Sequence, residues 1–152
     1  MERAAQLLRA GEIVAIPTET VYGLAVLPLE SPLGRLVELK RRSAEKGIQL
    51  LVDSLEQVHA LADVPVGARR LADRFWPGPL TLVLRRRPDA ALPDLLGGGR
   101  PTVGLRLPDH AVPRSLARTL GPLAASSANI SGHPAATTAQ QVVATLGEEL
   151  AL

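Results

Sequence analysis

Cysteine is absent from all 152 residues, which excludes disulfides, thiolate nucleophiles and thiolate metal ligands. The three histidines are scattered without carboxylates at ligand spacing, so no protein-bound metal site is legible. Phe, Trp and Tyr occur once each, which argues against a nucleic-acid module built on base stacking. No apolar run approaches the roughly 20 residues that cross a bilayer. The opening MERAAQLLRAGE carries charges where a secretory leader needs an apolar block. The expectation is a cytoplasmic protein without membrane contact. Lysine is nearly missing as well: 15 of the 17 basic residues are Arg, on a formal net charge of only +2. An Arg excess suits anionic partners, because the guanidinium binds phosphate and carboxylate bidentately; it equally suits a coding or thermal-adaptation bias.

What is present reads as one domain, residues 1–152. At 46% hydrophobic the chain can bury a core of its own. Ala4, Ala5, Leu7 and Leu8 share one side of a short helix that Gly11 stops. Ile13 to Ile16 is a strand signal ended by Pro17, which has no N–H for the ladder. Ser31-Pro32 predicts a helix start, with Ser as cap, and the helix should end at Leu39-Lys40-Arg41-Arg42. Ile48 to Val52 reads as a central strand, and Ser54 with Gln57 has the spacing of a helix cap. A helix over Val66 to Phe75 is cut by Trp76-Pro77-Gly78-Pro79, and a strand follows from Leu80 to Arg86. Residues 88–101, with three consecutive Gly, predict a mobile loop. Thr102 to Leu107 should be a strand with Val103, Leu105 and Leu107 on one side and Thr102, Gly104 and Arg106 on the other. Asp109 is expected to cap a helix to Leu120, and Pro122 to Ala125 to form a short strand. Thr138 with Gln141 is expected to cap a last helix to Leu150. Strands alternating with helices predict an α/β, or mixed α+β, sheet with helical cover.

Four pieces of this chain offer chemistry: PTETVYG from Pro17; Lys40-Arg41-Arg42 with Lys46; Thr102 with Arg106; and SSANISG from Ser126. The hydroxyl-bearing turns supply Ser and Thr oxygens and backbone N–H groups at strand ends, and the cations supply charge. Together they suit a phosphate-bearing substrate plus a carboxylate. Each has a plainer reading too. Cations at a helix C-terminus are favoured by the macrodipole, and the hydroxyl loops could be turns or caps. Arg106 inside an apolar strand is different, since a guanidinium on a sheet face needs an anion or a surface position. There is no Ser-His-Asp pattern, no G-x-x-x-x-G-K-[ST] and no G-x-G-x-x-G, and nothing suggests covalent catalysis.

In order and spacing, PTETVYG, the Lys-x-Arg helix end, WPGP before an apolar strand, TVGLRLP and SSANISG resemble the YrdC/Sua5 family. The resemblance implies a YrdC-like open, twisted mixed sheet with helices on its faces and a concave basic cavity. It implies synthesis of L-threonylcarbamoyladenylate from L-threonine, bicarbonate and ATP for the t6A modification of tRNA, with Mg2+ accompanying the ATP. By the same resemblance Thr20 and Arg106 would bind threonine, and Lys40 and Arg42 would be the catalytic cations. Arg42, Lys46, Thr102, Ser127 and Asn129 would bind the nucleotide. The resemblance also implies pathway partner proteins, and leaves open RNA binding, to tRNA or double-stranded RNA, without turnover. Arg69, Arg70, Arg74 and Arg85 to Arg87 would extend such a surface. Ser43 stands where Pro is usual, Ala135 where some members have a Ser, and Ala25-Val26-Leu27-Pro28 should make a different turn. The family usually continues for several tens of residues, so part of its C-terminal end is expected to be missing here. Arg106→Ala is expected to abolish threonine-dependent activity and leave the fold intact.

Overall fold

The computed structural model describes residues 1–151. Its helices are α1 (Glu2–Arg9), α2 (Glu30–Leu39), α3 (Leu55–Leu61), α4 (Val66–Phe75), α5 (Ala111–Leu120) and α6 (Ala139–Leu146). The strands are β1 (Val14–Ile16), β2 (Gly23–Val26), β3 (Gln49–Leu51), β4 (Leu82–Arg85), β5 (Thr102–Arg106) and β6 (Leu123–Ser127). They form one open mixed sheet in the order β1-β2-β6-β3-β5-β4, in which only β3 and β5 run parallel.

The register decides what each face of this sheet carries. Gly23 pairs with Ser127, Ala25 with Ala125, Gln49 with Ala125, Leu51 with Arg106, and Val83 with Gly104. Directly paired residues point to the same side, so Gly23, Ala25, Ala125, Ser127, Gln49, Leu51, Thr102, Gly104 and Arg106 share one face. The opposite face is a continuous apolar layer: Leu24, Val26, Leu50, Leu82, Leu84, Val103, Leu105 and Ala124 join Leu33 and Leu36 of α2, Val58 of α3 and Val142 and Leu146 of α6. The mixed face is covered only at one end. There Ala4, Ala5 and Leu8 of α1 and Leu116 of α5 pack on Val14, Ile16, Ala25, Leu51 and Leu123. Its other half, over Ser127, Gln49, Arg106 and Gly104, is left open, and the functional residues lie there.

Several local expectations need correction. Ala25 and Val26, expected in a turn, instead belong to β2, whose four residues are all buried and which pairs with strands on both sides. A short strand enclosed on both faces has no alternation to display. β6 runs to Ser127, not Ala125, because Ser126 and Ser127 pair with Leu24 and Gly23. Helix α2 starts at Glu30 with no side-chain cap from Leu29, which puts Pro32 at its third position, where an N–H has no intrahelical acceptor to lose. His110, not Asp109, caps α5, its Nδ1 accepting from the Val112 N–H at 3.2 Å. The Thr138–Gln141 capping box forms, yet α6 ends at Leu146 rather than Leu150. The 88–101 segment is not a mobile loop throughout: Asp94–Gly97 make a 3-10 turn, Leu96 is buried, and its carbonyl accepts from the Ile48 N–H at 2.9 Å.

Candidate active site

A cleft of about 310 Å³ opens on the uncovered half of the mixed face, lined by Thr18, Thr20, Tyr22, Arg42, Gln49, Arg106 and Ser127 with the small residues Gly23 and Ala125 beneath. Gly23 and Ala125 lie on neighbouring strands of this face, and their small size leaves the hollow open.

The 17–22 turn between β1 and β2 is held by its own hydroxyls. Thr18 Oγ1 donates to the Val21 carbonyl at 2.6 Å and accepts from the Thr20 and Val21 N–H groups at 3.2 and 3.3 Å. This is the local side chain-to-backbone bonding that lets Thr organise a turn. It presents Thr20, whose Oγ1 accepts from Arg106 Nη2 at 3.2 Å.

Arg106 itself is only 7% exposed. Its Nε donates to the Gly78 carbonyl at 3.3 Å and its Nη2 lies 2.9 Å from Glu19 Oε1, leaving Nη1 without a partner among the described residues. Glu19 Oε1 also accepts from the Asp109 N–H at 3.1 Å. Burial works against the Glu19 charge, but the Arg106 hydrogen bond and the backbone N–H outweigh it and hold the carboxyl below its ordinary value of 4.5. Arg106 thus has a structural anion as well as a face on the cleft, a tie to the fold that the sequence did not reveal.

The end of α2 separates its cations. Arg41 adopts the left-handed conformation at φ 48°, the Arg41 N–H bonds to the Glu38 carbonyl at 2.9 Å, and the Arg42 N–H to that of Val37 at 3.0 Å. This is a Schellman ending with Arg where glycine is favoured. It reverses the chain, so that Lys40 turns inward and Arg42 turns to the cleft. Arg42 is braced by the Lys46 and Gly47 carbonyls at 3.2 and 2.9 Å.

Lys40, expected to be a catalytic cation, does not line the cleft. It is 1% exposed, and its Nζ donates to the Ser127 carbonyl, to the Asn129 carbonyl at 2.7 Å and to Asn129 Oδ1 at 3.1 Å. Burial, then the neighbouring Arg42 charge, draws its pKa down to about 8, while the three acceptors favour the cation.

The sequence-derived set therefore divides. Thr20, Arg42, Arg106 and Ser127 converge on one cleft. Thr102 lies in an adjoining recess of about 210 Å³ that shares Gly47, Ile48 and Gln49 with it. Lys46 is exposed and does not line the cleft; Asn129 backs a separate hollow of about 440 Å³ and accepts from Ser127 Oγ at 2.6 Å. Glu19 and Gln49 had no assigned role. The signal for Gln49 was there, a lone amide in an apolar strand, and it accepts from Thr81 Oγ1 at 2.5 Å on the face that carries Arg106. Nothing local marks Glu19 as the partner of a residue 87 positions away (106 − 19).

The Sua5/YciO/YrdC family model, described as "Telomere recombination", matches residues 6–152. The chain belongs to this family. Among its relatives, the threonylcarbamoyl-AMP synthase of Pyrococcus abyssi is 44% identical over 142 residues, covering 91% of this chain and 41% of the relative. The putative threonylcarbamoyl-AMP synthase of Mycobacterium tuberculosis is 40% identical over 147 residues, covering 95% of this chain and 67% of the relative. The chain thus spans less than half of the archaeal protein and two thirds of the mycobacterial one. A crystal structure of P. abyssi Sua5 complexed with L-threonine superposes with a TM-score of 0.91 at 42% identity, over 97% of this chain and 44% of that one. The mixed, open Sua5-type sheet expected from the sequence is the fold observed.

Proposed function

We propose that this Sua5/YciO/YrdC-family chain takes part in making L-threonylcarbamoyladenylate from L-threonine, bicarbonate and ATP, for t6A modification of tRNA in the cytoplasm. The observation that carries this reading is the pairing of Thr20 Oγ1 with the Arg106 guanidinium in the cleft, with Arg42 and Ser127 lining the same cleft. A guanidinium with a free Nη1 suits a carboxylate, and a hydroxyl beside it suits the polar groups of a small amino acid. The relatives named threonylcarbamoyl-AMP synthase, and the Sua5 structure with L-threonine, support the choice of amino acid.

In this reading the threonine amine forms a bond to the carbon of CO2 or bicarbonate and gives up a proton. With bicarbonate the C–OH bond breaks, and the hydroxyl leaves with that proton as water. An oxygen of the resulting carbamate then attacks the α-phosphorus of ATP, and the bond to pyrophosphate breaks. Arg42 and Ser127 would orient the nucleotide, with Thr102, Lys46 and Asn129 at its margins and Mg2+ arriving on the phosphates as part of the substrate. The contribution of the protein is orientation and electrostatic stabilisation. The test is incubation with ATP, bicarbonate and labelled threonine: pyrophosphate release that requires threonine, with label in an adenylate, is expected. Release independent of threonine, or none, overturns the reading.

A second reading, RNA binding without turnover, draws on the exposure of Arg69, Arg70, Arg74 and Arg85. Arg86 and Arg87 contribute less to it, being held by Asp94 at 2.8 Å and Asp89 at 2.9 Å. Salt-sensitive retention of tRNA or double-stranded RNA in the absence of turnover would favour it.

A further inference from the structure

Lys40 and Arg106 are the buried charged side chains among the described residues, and they are satisfied in different ways. Arg106 has a carboxylate. Lys40 has none within ion-pair distance among the described residues; three oxygens of the 127–129 segment take its three N–H bonds. An ammonium has three donors and no more, so one fully engaged with protein oxygens has none to offer a phosphate. The contact is reciprocal, because the Lys40 carbonyl accepts from the Ser131 N–H at 3.0 Å. Asn129 spreads the hold further: its Oδ1 takes both Lys40 and Ser127 Oγ, and its Nδ2 donates to the Ile130 carbonyl at 3.1 Å and the His133 carbonyl at 2.6 Å. Residues 127–133 are therefore a polar loop organised around one desolvated cation. Two residues further on, Arg42 faces the cleft that Ser127 lines.

We infer that Lys40 is a positioning residue: its ammonium pins the loop after β6 to the end of α2, and so fixes Ser127 in the cleft that Arg106 also lines. The inference rests on the adenylate-forming reading only for what the loop serves; the clamp itself is independent of it. Removing the ammonium leaves the Asn129 carbonyl without its donor, while the Ser127 carbonyl keeps only the Asn129 N–H at 3.0 Å and Asn129 Oδ1 only Ser127 Oγ at 2.6 Å, all within the same loop, so the tie to α2 is cut and the loop loosens before any ligand arrives. Threonine binding, which depends on Thr20 and Arg106 on other segments, is spared, and use of the nucleotide is not.

The experiment compares the parent chain with Lys40→Met, which keeps the apolar stem, by hydrogen exchange without ligands. Exchange at Asn129 and Ser131 is expected to rise by about tenfold or more while Leu116 in α5 keeps its protection. Labelled threonine should bind both proteins within about threefold, while threonine-dependent pyrophosphate release falls by about tenfold or more in kcat. Unchanged exchange in the loop, or threonine binding lost in step with turnover, overturns the clamp. Should Lys40→Met fail to fold, the unmodified protein decides by NMR. A resolved, slowly exchanging Lys40 ammonium signal without ATP supports the clamp, and one that appears only on adding ATP overturns it. Absence of pyrophosphate release from the parent chain would defeat the proposed function, while the exchange and NMR results would still judge the clamp.

Discussion

The Glu19–Arg106 pair gives the sharpest test of how this site is built. Replacing Arg106 with Met removes the 2.9 Å contact to Glu19, the bonds to Thr20 and Gly78, and the counter-charge of a carboxylate whose side chain is 18% exposed. Breaking a fully buried pair costs about 3–5 kcal/mol, and a hydrogen bond to a charged group contributes about 1.5–3 kcal/mol. Glu19 keeps the Asp109 N–H on Oε1, and its side chain is not fully enclosed, so the expected loss lies near the lower figures, about 2–3 kcal/mol. For a chain of this size that corresponds to a fall of about 5–10 °C in Tm. The assay is urea unfolding of Arg106→Met, Glu19→Gln and the double variant, with the slope checked for constancy. A coupling energy of about 2 kcal/mol is expected between the two sites. In parallel, threonine affinity measured by calorimetry should fall by about tenfold or more in Arg106→Met, through loss of a charge-assisted bond. Additivity of the two substitutions within about 0.5 kcal/mol would refute the structural half of the argument, and undiminished threonine binding would refute the other.

Three further expectations follow from the same geometry. Because the fold holds the Glu19 pKa below 4.5, its contribution is complete above that value and is lost as pH falls through the lowered one; unfolding midpoints followed downward from pH 5 should drop less in Glu19→Gln than in the parent. Arg41→Gly, at a left-handed position with φ 48°, should stabilise the chain by about 0.5–1 kcal/mol in chemical denaturation, and a loss of stability would show that the Arg41 side chain outweighs its backbone. Gly98→Ala should destabilise by more than about 1 kcal/mol, since Gly98 has φ 61° and a methyl group there would run into the Glu45 backbone; calorimetric melting checks it.

Much of this protein was legible locally. Pro77 and Pro79, which cannot continue a helix, marked the end of α4 at Phe75, and the alternation of Thr102, Gly104 and Arg106 against Val103 and Leu105 is the division of faces observed in β5. Ser54 and Thr138 cap the helices expected of them. Such features depend on neighbours a few residues apart, which is the range over which capping bonds and side-chain alternation act. The order and spacing of the hydroxyl turns and cations also carried the family likeness, before any strand was paired.

Tertiary structure decided the rest, because a pattern tells which side of an element is apolar and not which element will cover it. β2 became visible only when β1 and β6 enclosed it. Lys40 and Arg42 stand two positions apart in one cationic run, yet one is buried against a loop 87 residues away and the other lines the cleft. That parting required both the left-handed turn at Arg41 and the carbonyls of the loop after β6. Arg106 was legible as a cation seeking an anion, but its finding Glu19 depended on the 17–22 turn reaching β5, which stands three strands away from β2 in the sheet, a long-range arrangement that no local sequence rule contains.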